Sequence, residues 1–315
     1  SKGIGFTPYA DHALVQCGAE FVLRDGQLLR TGMGAMPESR TWQLYKFSLG
    51  PFSDGLAIQS PDLIPTQAGI WLMGKPPMTQ AFAFDLKDDD ALAQALELLR
   101  PLKLNNTLAG TTSVTHKSFD AARASITSAR GEWRLYGALY GIPAVVALLE
   151  PMLAAGLGAI SGCRRLAPDA LRSDPVWIEQ LALMEGAVGS TPPRFKDSGG
   201  DTAARLTFVA PIEADAGKSM LRTARSVLKS HNLPLLTELL LSGRSLFQVL
   251  HLPYGRRDAA SFRMAASCAR QLITEMGGAG IGLASESVEL SRLAVEALGE
   301  SPLRQLQARA LSATV

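Results

Sequence analysis

An order of elements that occurs twice constrains this chain more than any other feature. In residues 81–160 the patterning predicts a strand at 81–86 and a helix opened by Asp88, Asp89 and Asp90. That helix is expected to run to Leu99, where Arg100-Pro101 stops it. Strands at 111–115 and 132–139, a helix at 143–155 and a short apolar strand at 157–160 complete the half. The second half repeats the order with a strand at 205–212, a helix at 216–229 and strands at 235–241 and 247–252. A helix at 258–276 and a strand at 280–283 close it. Carboxylates just before a helix satisfy its free N–H groups, which is why the acid triplet marks a start. Each half reads strand-helix-strand-strand-helix-strand, a βαββαβ unit. Two such units predict an α+β fold, an antiparallel sheet with helices on one face.

The 315 residues are 47% hydrophobic and 19% charged, enough apolar material for a packed core and too little charge for a disordered chain. Thirty-one Lys and Arg against 29 Asp and Glu leave a net charge of +2. The basic residues show no cluster beyond the pairs Arg164-Arg165 and Arg256-Arg257, so no nucleic-acid partner is expected. Cys17, Cys163 and Cys268 are odd in number and form no CxxC, which fits burial or a reducing compartment. The most apolar stretch, 142–160, is interrupted by Pro143, Glu150-Pro151 and Gly156. It reads as a buried helix and turn, and no membrane association is expected. No targeting segment is visible, which leaves a cytoplasmic or periplasmic location as the expectation.

Ahead of the repeat, 19–23 and 27–30 flank Asp25-Gly26, a dipeptide suited to the positive φ of a tight hairpin turn. A Gly- and Pro-rich region runs from Gly32 to Pro65, then a short apolar strand is expected at 70–73. A domain boundary is expected at the prolines after it, Pro76 and Pro77. Residues 186–200, with Pro192-Pro193 and Gly199-Gly200, read as a loop or mobile lid. Residues 286–311 read as a helical tail broken at 299–302.

Gly32-Met33-Gly34 begins like a phosphate-binding glycine loop, but it runs into Pro37 and comes after no strand-helix pattern. His12, His116, His231 and His251 have no second ligand at useful spacing, so no metal site is expected, and each reads as a surface or satisfied histidine. Thr7-Pro8-Tyr9-Ala10-Asp11-His12 is different, because it packs a rigid turn, an aromatic ring, a carboxylate and an imidazole into one segment. Two readings stand: a capped loop, or a loop aimed at a ligand with Asp11 as base or charge partner.

That segment and the residues after it resemble the flavin-dependent vanillyl-alcohol oxidase and p-cresol methylhydroxylase family. The likeness runs through GIGFTPYADH from Gly3, CGAEFVLRDGQLLRTGMGAMP from Cys17, WQLYKFSLGPFSDGL from Trp42 and GIWLMGKPP ending at Pro77. It continues in LRPLKLNNT from Leu99, LYGALYG from Leu135, Leu183-Met184 and VAPI from Val209. The resemblance implies that 1–76 are the closing part of an α+β FAD-binding domain. By the same likeness 77–285 are a cap domain that covers the substrate, and 286–315 are a helical tail returning to the flavin domain.

It further implies oxidation of para-alkylphenols: hydride leaves the benzylic carbon for flavin N5, and the quinone methide takes up water. Such chemistry needs a stabiliser for the phenolate and a carboxylate near N5. Asp11 matches that carboxylate, and Glu238 matches a cap-domain acid of some members, so these two are the expected catalytic groups. Thr7, Pro8, Tyr9, His12, Ile64 and Thr66 are expected to touch FAD.

The sequence departs from the family in several places. The Tyr-Arg phenolate clamp is missing from 280–285, and no His or Tyr for covalent flavin attachment occurs in 195–206. Leu63-Ile64-Pro65 replaces the Gly-Ile-Val that lies on the flavin, and proline removes an amide donor there. The family's N-terminal pyrophosphate-binding half and its C-terminal signature lie outside this sequence. FAD is therefore expected to be non-covalent, and shared with a second polypeptide that supplies the FAD-binding half, or with a homo-oligomer. The alternatives are a non-catalytic cap-type subunit, which binds a flavoprotein or a small aromatic ligand, and the partial product of a disrupted gene.

Overall fold

The computed structural model describes residues 3–9, 11–23, 25–48, 50, 52–57, 63–124, 130–187, 200–300, 302 and 305. The chain divides into two units: Ser1–Gly5, Tyr9–Lys75 and Gly299–Val315 form one, and Phe6–Pro8 with Pro76–Leu298 form the other.

In the smaller unit α1 (His12–Val15) leads into β1 (Gln16–Val22), which pairs antiparallel with β2 (Leu28–Arg30) and with β3 (Ile64–Ile70). The hairpin between β1 and β2 turns where the sequence predicts. Gly26 takes φ +84°, and the Asp25 carboxylate accepts the Gln27 N–H at 2.9 Å. The strand expected at 70–73 is displaced, since β3 ends at Ile70. Its pattern is masked by Pro65 and Gly69. Proline is tolerated because β3 is an edge strand. Glycine is required because a Cβ at position 69 would meet the Cys17 carbonyl oxygen at 2.3 Å.

The apolar core of this unit is small, built on Ala19, Phe21 and Leu63. Buried Asp54 adds polar cross-links. Its Oδ2 accepts the Gly18 N–H at 3.0 Å and its Oδ1 accepts the Thr31 hydroxyl, while Thr31 Oγ1 accepts the Ala19 N–H at 2.8 Å. The Trp42 indole fills the space left by two glycines. A Cβ on Gly18 or Gly34 would lie 2.5 or 2.3 Å from its Nε1. The glycines at 32–34 thus serve packing, and the turn they open is a four-residue 3-10 segment, Gly32–Ala35.

The larger unit carries the repeat. Its first half comprises β4 (Met78–Leu86), α2 (Asp89–Leu104), β5 (Thr112–His116), α3 (Lys117–Ala124), β6 (Trp133–Gly141), α4 (Pro143–Gly158), β7 (Cys163–Arg165) and α5 (Pro175–Met184). Its second half comprises β8 (Thr202–Pro211), α6 (Ala214–Ser230), β9 (Thr237–Ser242), β10 (Ser245–Tyr254), α7 (Ala259–Gly278), β11 (Gly282–Glu286) and α8 (Ser291–Leu298). One sheet runs β11-β8-β10-β9-β5-β6-β4-β7, antiparallel throughout. In each half the first strand lies between the third and the fourth, and the second strand meets its counterpart at the middle. The core forms on one face, where α2, α4, α6 and α7 cover Phe84, Trp133, Leu135, Phe208 and Leu250.

Three expectations need correction. Pro101 does not stop α2, which runs on to Leu104. Pro101 and Glu97, the residue whose carbonyl it leaves unbonded, both lie on the exposed side of the helix, where water can take the hydrogen bond. The strand placed at 157–160 is not there. Leu157 and Gly158 end α4, and the fourth strand is β7, five residues further on in a more polar stretch. Helices are also not confined to one face. The short α5 lays Val176, Trp177 and Met184 over Ala83, Tyr136 and Ala138 on the opposite side of the sheet. The loop expected to act as a lid lies, at 188–199, outside the described residues, as does most of the tail beyond 300. Among the described residues no helix is long and apolar enough to cross a membrane.

Lys103, in the last turn of α2, is buried and donates to the Gly110 carbonyl. Burial pushes its pKa from 10.5 down to about 7. Between those values the unfolded chain holds a proton that the folded chain has released, so stability rises with pH through this window. The displacement corresponds to about 4 kcal/mol held against the fold at pH 7. Lys103→Met is expected to be more stable than the parent at pH 7 by about 2 kcal/mol, after the loss of the Gly110 hydrogen bond. The rise between pH 7 and 10.5 should also vanish, which thermal denaturation across that range measures.

Candidate functional site

The face of the large sheet opposite the four long helices carries a continuous row of side chains set by strand register. Asp85 on β4 lies beside Arg134 on β6, then Thr115 on β5, Glu238 on β9, Val249 on β10 and Thr207 on β8. The first half of this row is a buried ionic network. Arg134 donates to Asp85 at 2.8 Å and to Asp174 at 2.6 Å, and Arg164 reaches Asp85 from the other side at 2.7 Å. Asp174 also caps α5, accepting the N–H groups of Val176 and Trp177 at 2.9 and 3.2 Å. Thr115 Oγ1 donates to Asp120 of α3 at 2.6 Å, and Arg130 pairs with the same carboxylate. Burial raises the Asp120 carboxyl above its usual range despite that cation.

The row changes character at Glu238. Its side chain is 18% exposed, and Oε1 lies 3.9 Å from Nε2 of His251. The His251 ring stacks on Phe119 at 4.7 Å between centroids and 23° between planes. The Arg123 guanidinium sits over the Phe119 ring at 5.1 Å and pairs with Glu179. Arg205 stands opposite His251 across the β8–β10 ladder. Burial favours the neutral carboxyl, but His251, Arg123 and Arg205 outweigh it and hold the Glu238 carboxyl below its ordinary range. The neighbouring row on the same face is apolar, with Leu240 beside Phe247 and Phe247 beside Val209. An ionised carboxylate next to such a floor can accept a hydrogen bond or a proton from a flat ligand lying on it.

The other expected site residues divide between the two units. Asp11 is exposed and caps α1, its Oδ1 accepting the N–H groups of Ala13 and Leu14 at 2.9 and 3.1 Å. His12 donates its N–H to the Gly3 carbonyl at 3.1 Å. Tyr9 is 42% exposed. Ile64 stands 65% exposed at the start of β3, and Thr66 further along it donates to Glu20 Oε1 at 2.8 Å. These five belong to the smaller unit. Thr7 and Pro8 belong to the larger one, next to Phe6, whose carbonyl accepts the Thr111 N–H at 3.0 Å. Of the stretch expected to lack a flavin attachment point, 195–199 lie outside the described residues. Among the described residues no group of three or more His, Cys, Asp and Glu could hold a metal ion.

Sequence reasoning named Glu238 and passed over His251, Phe119, Arg123 and Arg205. A signal for His251 was present. Leu246, Leu250 and Leu252 mark the core side of β10, so Phe247, Val249 and His251 must face the other way, with Glu238 across the hairpin.

The chain's relatives agree with this architecture. The flavoprotein subunit of 4-cresol dehydrogenase [hydroxylating] from Pseudomonas putida is 27% identical over 302 residues, 87% of this chain and 57% of its own length. The solved structure of p-cresol methylhydroxylase with substrate bound superimposes with a TM-score of 0.88 at 25% identity, over 99% of this chain and 66% of that one. In sequence and in fold the chain is thus similar to the flavoprotein subunit of p-cresol methylhydroxylase. 4-Ethylphenol oxidase from Gulosibacter chungangensis, in an isoeugenol complex, gives a TM-score of 0.89 at 25% identity, over 100% of this chain and 66% of that one. A 103-residue part is 34% identical to 1'-carboxy-chondrochloren decarboxylase from Chondromyces crocatus, covering 33% of this chain and 19% of that protein. No protein-family model matches the chain. The fold matches that of the p-cresol methylhydroxylase structure, mixed helices and antiparallel sheets with no closed barrel among the described residues. The chain spans 57% of the curated cresol dehydrogenase subunit and 66% of each solved structure.

Arg134→Met would leave Asp85 and Asp174 buried without their shared cation. We expect a loss of about 3–5 kcal/mol in stability, read by chemical denaturation.

Proposed function

We propose that this chain is the cap domain and the closing part of the FAD-binding domain of a flavin-linked oxidoreductase that acts on para-substituted phenols. The observation that carries the reading is Glu238, a carboxylate held below its ordinary pKa beside an apolar row on the sheet face opposite the four long helices, in a fold shared with p-cresol methylhydroxylase. The residues of the smaller unit suit the ring end of FAD and not its pyrophosphate. Ile64 and Ile70 on β3 are 65% and 60% exposed and offer an uncovered apolar strand. The glycines at 32–34 pack on Trp42 and Lys46 instead of cradling phosphate. A second polypeptide, or a further stretch of a longer one, would bind the rest of the cofactor.

When bound, FAD supplies a two-electron acceptor at N5. Tyr9, His12, Ile64 and Thr66 of the smaller unit are the residues we assign to its ring. Asp11 would supply negative charge where charge changes during the reaction, and Glu238 would hold the polar end of the phenol. No covalent link to the flavin is expected.

A second reading, a cap-type subunit without catalysis, rests on β11. That strand offers Gly282, Leu283 and Ser285 to its neighbour β8, with neither Tyr nor Arg among them.

The test is to purify the chain with whatever co-purifies from its host, record the visible spectrum, and monitor flavin reduction by 4-methylphenol. The proposed role predicts a flavin spectrum that acid precipitation strips from the protein. Asn caps helices as well as Asp does, so Asp11→Asn separates charge from folding. It is expected to slow flavin reduction about 100-fold with Tm unchanged. A colourless preparation moves the assignment to the cap-type subunit.

A further inference from the structure

We propose that His251 is the positioning residue of Glu238, and that the pair forms the polar end of an aryl-binding surface whose floor is Leu240, Phe247, Val249 and Val209. The inference rests on the reading of Glu238 as a substrate-facing group and adds the residue that keeps it in that role. Three observations place His251 there. Its Nε2 is 3.9 Å from Glu238 Oε1, within ion-pair reach. The stack on Phe119, 4.7 Å between centroids, fixes the plane of the imidazole. The register puts His251 on the same face as Glu238, one pleat beyond Val249, which is Glu238's direct neighbour.

The chemistry needs such a partner. Glu238 sits mid-sheet, where desolvation favours the neutral carboxyl and a neutral carboxyl is a poor acceptor. The charged groups facing it come from each surrounding element. His251 is on β10, Arg205 on β8 and Arg123 on α3, and α3 also carries Asp120, whose charge is taken up by Arg130. Arg205 is exposed to water, which screens it, and Arg123 is shared with Glu179. His251 is the buried polar side chain at 3.9 Å from the carboxylate, so it bears most on the ionisation of Glu238. Phe119 and Arg123 hold its ring from α3, a helix outside the repeated strand-helix pattern.

The test uses the full chain with 13C-labelled glutamate, the Glu238 carboxyl signal being identified by its absence in Glu238→Gln. His251→Gln should raise the Glu238 titration midpoint by at least about one pH unit. Phe119→Leu keeps the imidazole but removes its stack, and should raise the midpoint by a smaller amount. Phe119→Leu supplies the readout if His251→Gln does not fold. 4-Methylphenol is the binding probe, with 4-methylanisole, which has no hydroxyl, as the control. Support is a raised midpoint together with at least about fivefold weaker 4-methylphenol binding and unchanged 4-methylanisole binding. An unmoved midpoint in folded His251→Gln overturns the positioning role. A raised midpoint with no 4-methylphenol binding to the parent chain overturns the substrate-facing reading and leaves the pair itself standing.

Discussion

The pairing of β5 with β9 holds the larger unit together. Four register pairs, from Thr112 opposite Leu241 to Thr115 opposite Glu238, join two similar halves into one sheet. Without that ladder each half would end in an unpaired strand whose N–H and C=O groups face water or another chain. The ladder also merges the apolar sides of the halves, so that α2 and α6 pack over one continuous core. It places β9 near the middle of eight strands, where a glutamate is flanked on both sides and loses most of its water.

The two faces of this sheet obey different physics. On the helix side, burial of Phe84, Trp133, Phe208 and their neighbours supplies the stability. The opposite side is divided. Over the first half, α5 and the Asp85–Arg134–Asp174 network close it, with each charge matched before it is removed from water. Over the second half the matching is looser. Glu238 and His251 stand 3.9 Å apart, and the rows beside them are apolar.

Much of this was legible in the sequence, because alternation of apolar residues and the Asp88 and Asp258 caps report local geometry directly. The repeat and the hairpin at Asp25-Gly26 are of that kind, whereas Glu238 stands out only through the resemblance to the flavoenzyme family. Pro101 and Pro65 misled because proline is judged by local rule, whereas its cost depends on whether water or a neighbouring strand takes up the freed group. The helices α3 and α5 were missed because they are short and their burial comes from the sheet, not from a long amphipathic pattern of their own. His251 was read singly, and only strand register gives it Glu238 for company. Phe119, Arg123 and Arg205 are invisible in the same sense, since each becomes a neighbour of the pair through tertiary placement.

The indole of Trp42 has a consequence beyond its own packing. Gly18 lies in β1 and Gly34 in the turn after β2, so one ring occupies the place of two missing side chains from separate segments. The three positions form a single heritable unit. A methyl group gained at either glycine has no room until the ring shrinks, and a smaller ring leaves a void against both backbones. Change at any one of the three must therefore wait for change at another, and relatives sharing this unit should carry all three residues or a jointly altered set.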